Sequence, residues 1–496
     1  MLPTIVLLLG LAGAFVCWRV FRSTRPPLPP GPPADPLIGH LRVVPTENQA
    51  AIFHDWSQRY GEIIAIEALG RTMVILDSVA VATDLLEKRS AVYSDRPVFT
   101  IYNMIGFTPA LVLLPYGKQM QKHRKILHAN LTPTACLAWR DFQTENARRL
   151  SALLVQQCEE YERLFNWFTT ALTMKVAYGL DITPENDKYL EIADDSTFML
   201  NNSGPPGGTP VDLFPFLQHF PSWFPGVYYA NFARKWRHKV RRFYEVPFEK
   251  VQKDLAEGKA QPSMLATELD QLFQTDSATP ENIDDIKGAA AQIFIAGSET
   301  TSSALLVFLL NMVLHPEVQK RAREELDRVL GRERLPEFSD YDSLPYIECV
   351  AQEVLRWYPV APLGVPHQST EDDIYKGMFI PKGALVMPNL RGMSQDEAVY
   401  ANPKEFNPSR FLSKPTGNQE PFFSSAFGFG RRICIGRHLA YNSLWIVVAT
   451  ILATCEISPA VDKDGKDIKI DIAYTTGITS RPKPFACNIR RRPDIF

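Results

Sequence analysis

The chain has 496 residues, with 53 Lys and Arg against 55 Asp and Glu and a formal net charge of −2. A near-neutral balance offers no electrostatic footprint for nucleic acid, so no nucleic-acid partner is expected. Seven scattered cysteines without a C-x-x-C pair argue against a disulfide framework or a zinc site and suit a reducing compartment.

At the N-terminus, Leu2 to Trp18 is apolar and uncharged, roughly 26 Å as a helix and enough to span a thin bilayer such as that of the endoplasmic reticulum. Arg19, Arg22 and Arg25 follow it rather than precede it, which reads as a single-pass anchor over 1–25 with the rest of the chain in the cytosol. On that topology the sequons at Asn130 and Asn201 never meet the glycosylation machinery. Pro26 to Pro33 holds six prolines and reads as a stiff hinge over 26–36. No composition break divides 37–496, so one large domain is expected there.

Within that domain the patterns predict a helix over 48–60, paired strands over 63–68 and 73–76, and a helix over 79–88 capped by Asp77 or Ser78. Helical periodicity recurs over 145–177 and 229–257, with a breaker at 203–210 between them. Phe214, Phe216, Phe220, Trp223 and Phe224 then crowd into a Pro-rich loop that reads either as core or as a contact with membrane lipid.

The longest predicted helix runs over 280–314, with Thr279 as N-cap, Pro280 in the first turn and Pro316 beyond its end. Its middle, Gly297 to Ser303, is built largely of poor helix formers, Gly alone costing about 1 kcal/mol against Ala. Such a segment points either to a functional face or to close packing on a neighbour. Further on, Glu353 and Arg356 are spaced as helix-surface neighbours.

Phe427 to Gly436 places Cys434 among glycines and arginines just before an apolar run of helical spacing. Arg431, Arg432 and a helix N-terminus all favour a thiolate there. Gly430 and Gly436 allow unusual dihedrals or the close approach of a flat ligand, and Phe427 supplies an apolar wall. Taken alone, the segment also fits a buried free cysteine in a Gly-rich turn.

All five fixed positions of Phe-x-x-Gly-x-Arg-x-Cys-x-Gly are met by Phe427, Gly430, Arg432, Cys434 and Gly436, and here the chain resembles the cytochrome P-450 family. The resemblance implies a mainly α fold with a smaller β portion. It also implies haem b with Cys434 as the axial thiolate and Arg432 near a haem propionate. Ala296 to Thr301 match the family's central-helix motif over the distal haem face. Glu353, Arg356 and Arg410 match its buried ion cluster, although Ser409 stands where many members carry glutamate. Arg124 and His367 match two further propionate-contacting positions, while Met120 occupies the place of the usual tryptophan.

The same resemblance implies a monooxygenase that turns a C–H bond of a small apolar substrate into C–OH with O₂ and two electrons. Thr300 would hydrogen-bond the oxygen, Glu299 would feed protons through water, and Gly297 would leave room for dioxygen. The chain lacks a dinucleotide fingerprint, so electrons would come from an NADPH-cytochrome P-450 reductase. A haem-thiolate isomerase, dehydratase or peroxygenase, and a non-enzymatic haem sensor, are the alternatives. The stretches 99–114, 360–365 and 474–478 match the family's pocket linings, and their apolar character suits a terpenoid, polyketide or indole-derived metabolite.

Overall fold

The computed structural model describes residues 26–493 except 108, 109, 186, 205 and 206; the expected anchor over 1–25 lies outside the described residues. The helix predicted over 280–314 forms as Pro280–Leu314, with the Thr279 hydroxyl accepting from Asn282 N and Pro280 placed where its missing N–H costs nothing. By length and composition this central helix could cross a bilayer, yet 83% of its apolar window is buried inside the protein. It is a core helix, and each fully buried Leu or Phe on it, such as Leu305, Phe308 and Leu309, contributes on the order of 2 kcal/mol.

Helix Tyr161–Tyr178 packs along the central helix, and Gly297 lies at a close contact between the two. A β-carbon at Gly297 would lie 2.5 Å from Thr173 Cγ2. The expectation that Gly297 leaves room for dioxygen is joined by a packing role: the missing side chain accommodates the methyl of a neighbouring helix. The polar residues around it are absorbed in the same contact, since Thr169 donates to Ser298 O at 2.8 Å and Thr173 Oγ1 lies 3.1 Å from Ser298 Oγ.

The β portion is small. Strands β1 (Ile63–Ala68) and β2 (Arg71–Leu76) form an antiparallel hairpin. Among the later strands β3 (His367–Gln368), β4 (Asp373–Tyr375), β5 (Met378–Ile380) and β6 (Leu385–Pro388), β6 pairs parallel with β2 and antiparallel with β3. The sheet order is thus β1-β2-β6-β3, and the β2–β6 pairing fastens residue 73 to residue 385. Strands β7 (Cys455–Pro459) and β8 (Cys487–Arg491) make a separate pair.

Pro26 to Pro33 lies against this sheet. Its carbonyls accept from Phe379 N at Pro27, from Ala65 N at Pro30 and from His40 Nε2 at Pro32. At Gly31 a β-carbon would sit 2.3 Å from Ala65 O, so a residue without a side chain is required there.

Two local expectations are revised. Residues 79–88 begin as α-helix over Val79–Ala82 and continue as π-helix over Thr83–Lys88. Asp77 does not cap them, because its carboxylate takes His54 Nδ1, Ser57 Oγ and Asn389 Nδ2 at 2.5 to 2.6 Å. A helix at Lys188–Asn202 was not anticipated, its apolar positions being interrupted by Asp194, Asp195 and Ser196. The aromatic loop divides: Phe220 and Phe224 pack against the core, while Phe214, Phe216 and Trp223 are exposed.

Candidate active site

Cys434 ends a tight loop, its N–H donating to Phe427 O at 2.8 Å. Gly428 and Gly430 carry the left-handed dihedrals, φ +77° and +52°, whereas Gly436 has an ordinary φ of −78°. At Gly430 a β-carbon would lie 2.2 Å from Leu86 O, so the loop approaches the π-helical backbone rather than only a ligand. Helix Arg437–Thr454 starts immediately after Gly436. Burial pushes the Cys434 thiol up, opposed by the backbone N–H groups of Gly436 and Arg437 and by the charges of Arg437 and Arg124. Cys434 nonetheless has accessible surface, so its side chain is not sealed within the loop.

The cations acting on Cys434 differ from those the sequence singled out. Arg431 points outward, donating to Tyr116 Oη at 2.5 Å and stacking on its ring. Arg432 turns away to Ser94 O and Leu114 O at 2.8 and 2.9 Å. Side chains flanking a tight turn diverge, so adjacency in sequence does not put them on the sulfur. Arg124 does come beside it, donating to Ile433 O at 3.0 Å. Its helix, Lys118–Asn130, is clamped to the central helix by Lys122 and His123, which reach Asp285 at 2.5 and 3.0 Å. Met120, in the tryptophan place, is buried in the core.

Four basic side chains converge near the cysteine loop. His367 is buried, with Nδ1 2.8 Å from Tyr93 O. Burial first, then the charges of Arg96 and Arg432, hold its pKa well below the ordinary value. Burial also lowers Arg432, to about 10, Asp95 opposing and Arg124 adding to the shift. Arg96 was missed in the sequence. It is buried and donates to Val112 O, Val365 O and Pro366 O, tying the 99–114 stretch to the 360–366 segment; a lone arginine between Asp95 and Pro97, ahead of an apolar run, is the signal that was available. The acid among them, Asp95, already accepts from Arg96 N and Tyr116 N. Among the described residues, Arg432 Nη1 is buried without a partner.

Buried guanidinium groups that repel one another and leave an N–H unsatisfied fit an anionic ligand. Haem b carries two carboxylates, and the residues present fit it: Cys434 for the iron, with Arg432, Arg96, Arg124 and His367 for the propionates.

On the central helix, Ala296 is exposed and Ile295, Gly297 and Thr300 half-exposed in the midst of buried neighbours, which opens this turn onto the interior. The Thr300 hydroxyl donates back to Ala296 O at 2.7 Å. Glu299 is buried and faces another way, its Oε1 accepting from Thr479 Oγ1 at 3.2 Å and Asn201 Nδ2 at 3.4 Å. Phe427 is half-buried, its carbonyl holding the cysteine N–H.

The Glu353–Arg356 pair forms as the spacing suggested, though buried, and the cluster with Arg410 forms as the resemblance implies and is larger. Arg356 binds both oxygens of Glu353 at 2.7 and 2.8 Å, and Arg410 Nε reaches Glu353 Oε1 at 3.2 Å. Glu420, which carries no periodic signal in its loop, completes the cluster on Arg410 at 2.7 Å. Ser409 takes a different partner, Arg321, at 2.7 Å.

One sulfur donor at a helix N-terminus, with cations set for a dicarboxylate, defines a haem-thiolate protein rather than a site for a bare ion. The family profile for cytochrome P450 matches residues 29–488. Cytochrome P450 monooxygenase 136 of Postia placenta is 37% identical over 483 residues, covering 96% of this chain and 91% of its own length. Cytochrome P450 monooxygenase 208 of the same organism is 39% identical over 497 residues, with 99% and 95% covered. Cytochrome P450 monooxygenase COX2 of Coprinopsis cinerea is 38% identical over 483 residues, with 97% and 91% covered. The chain belongs to the cytochrome P450 family and is a monooxygenase enzyme of it, with haem b as its cofactor.

Proposed function

We propose that the protein hydroxylates or otherwise oxidises an apolar small molecule of secondary metabolism, a terpenoid, polyketide or indole-derived compound, with electrons from an NADPH-cytochrome P450 reductase. The observation that carries the substrate class is the half-exposed apolar lining, Val112 and Leu113, Ala361 to Val365, and Ile478, beside the opened turn of the central helix. Relatives named as cytochrome P450 monooxygenases in Postia placenta and Coprinopsis cinerea are consistent with it.

When bound, haem supplies the O₂ activation that converts C–H to C–OH. The chain's own residues do the rest. Cys434 would hold the iron through its sulfur, which the backbone N–H groups of Gly436 and Arg437 support as a thiolate. Arg432, Arg96 and Arg124 would hold and neutralise the propionates, with the uncharged His367 beside them. Thr300, whose hydroxyl proton is taken by Ala296 O, offers oxygen lone pairs toward the interior, and Glu299 is the nearby acid that hands protons inward.

The protein is further proposed to lie on the endoplasmic reticulum membrane through residues 1–25. Phe214, Phe216, Trp223 and Tyr228 are 42%, 57%, 78% and 70% exposed. Arg71 Nη2 reaches Leu213 O at 3.4 Å, Arg71 pairs with Ala68, and Ala68 bridges to Gly39 beside exposed Leu37 and Leu41. Exposed apolar groups from the start of the domain and from the aromatic loop therefore share a face, which supports a lipid contact.

The test is co-expression with a reductase and a screen of apolar metabolites for type I spectral shifts, followed by turnover under labelled O₂. Label in the product supports the reading; conversion without NADPH and without label would replace it with the isomerase or dehydratase alternative.

A further inference from the structure

The hairpin around Tyr474 to Pro482 is more than a pocket lining. It closes through a bridge between Tyr474 and Pro482, with Thr475 N donating to Arg481 O at 2.8 Å and Ser480 Oγ to Thr475 O at 2.6 Å. Two contacts fasten it to the opposite wall. Ser480 N donates to Val360 O at 2.7 Å, and the Tyr474 ring stacks on Tyr358 with centroids 3.6 Å apart and planes 5° from parallel. From this rigid base Thr479 reaches the central helix and the end of helix Lys188–Asn202 at once. Its hydroxyl is 3.2 Å from Glu299 Oε1 and 3.2 Å from Asn201 Oδ1. Asn201 Nδ2 is 3.4 Å from the same Glu299 oxygen.

The donor count leaves this arrangement only partly satisfied. A threonine hydroxyl has one proton, so Thr479 donates either to Glu299 or to Asn201, not fully to both. Gly477 lets the hairpin seat on Asn201, since a β-carbon there would be 3.0 Å from Asn201 Oδ1. Asn201 stands one residue from the end of its helix, directly before the Gly-Pro breaker, where a helix terminus shifts most readily. Successive residues of a helix project about 100° apart, so a Glu299 carboxylate held by Thr479 and Asn201 is turned away from the face that bears Thr300.

We propose that Asn201 and Thr479 are positioning residues that clasp the Glu299 carboxylate away from Thr300, and that substrate wedged between the hairpin and the helix end releases it. Proton delivery is thereby tied to occupancy of the pocket. The inference rests on the reading of Glu299 as the proton-delivering acid.

The haem-loaded protein with reductase tests it through three variants. Thr479→Val keeps the shape and removes the hydroxyl; Thr479→Ser keeps the hydroxyl; Glu299→Gln keeps an acceptor oxygen for the clasp and removes the acid. With Thr479→Val, NADPH consumption without substrate rises about fivefold, the factor of one lost hydrogen bond. Product per NADPH falls, and backbone hydrogen exchange across 475–481 speeds up, while the carbon monoxide spectrum is unchanged. Thr479→Ser restores all three. Glu299→Gln leaves exchange at the hairpin as in the parent but lowers product per NADPH. If Glu299→Gln lowers that ratio and Thr479→Val changes neither the ratio nor substrate-free consumption, the clasp is overturned and the acid's role stands. An unchanged ratio in Glu299→Gln overturns the acid's role itself.

Discussion

Gly297 and Thr173 touch so closely that a β-carbon on the glycine would sit 2.5 Å from the threonine methyl. Thr173 cannot simply rotate aside, because its hydroxyl bonds Thr169 O and Thr170 O, each at 3.1 Å. Gly297→Ala should therefore destabilise the protein by about 1–2 kcal/mol, overpacking outweighing the gain of roughly 1 kcal/mol in helix propensity. Adding Thr173→Ser, which removes the methyl and keeps the hydroxyl, should restore stability. Denaturant midpoints of the four proteins in this cycle check the pair; additive effects would show that the glycine has another reason to be there.

Cys434→Ser should abolish the thiolate-type absorbance of the carbon monoxide complex together with monooxygenase turnover, since an oxygen ligand donates less electron density. Its fold should persist, because the Cys434 contact that shapes the loop is a backbone one, to Phe427 O. Difference spectra beside a thermal melt separate the two effects, and a surviving thiolate spectrum would take Cys434 off the iron.

Glu420 gives the stability a pH dependence of known sign. Burial raises its pKa, but hydrogen bonds from Arg410, Asn418 and Ala401 outweigh that and hold the carboxyl below its ordinary 4.5. A depressed folded pKa means that the stabilisation is complete above the unfolded value and is lost as pH falls through the folded one. Glu420→Gln should be about 2 kcal/mol less stable at neutral pH and should lose less than the parent between neutrality and about pH 4. Parallel denaturation curves at both pH values would remove this acid from the acid response.

Thr300→Ala separates a catalytic from a space-filling residue. As a helix residue alone, Ala is better by several tenths of a kcal/mol, so folding should be unchanged or slightly improved. Product formed per NADPH should nonetheless fall and hydrogen peroxide appear, with the substrate-induced spectral shift intact. An unchanged ratio with no extra peroxide would leave Thr300 as a helix residue whose hydroxyl merely serves Ala296 O.

Removal of residues 1–25 should release much of the protein from membranes, with a residue of binding that falls further in Phe216→Ser/Trp223→Ser, two of the exposed aromatic positions. Flotation with lipid vesicles measures it. Complete retention of the truncated protein on membranes would place the anchor elsewhere.

Much of the site is legible in the sequence. The bounds of the central helix follow from Thr279, Pro280 and Pro316, the cysteine loop from its glycine spacing, and the Glu353–Arg356 pair from a separation of three on a helix; all are set within one or two turns of chain, where backbone geometry alone decides neighbours. The partners lie beyond that reach. Arg124 and Arg437, and not Arg431 and Arg432, act on Cys434. Arg96 joins the cation cluster, Glu420 closes the ion network, and the side chain absent from Gly297 serves Thr173. Glu299 answers to Asn201 and Thr479, respectively 98 and 180 residues away. Such pairings depend on which way each side chain leaves its segment and on how helices pack, quantities that periodicity does not carry and that only the assembled tertiary structure decides.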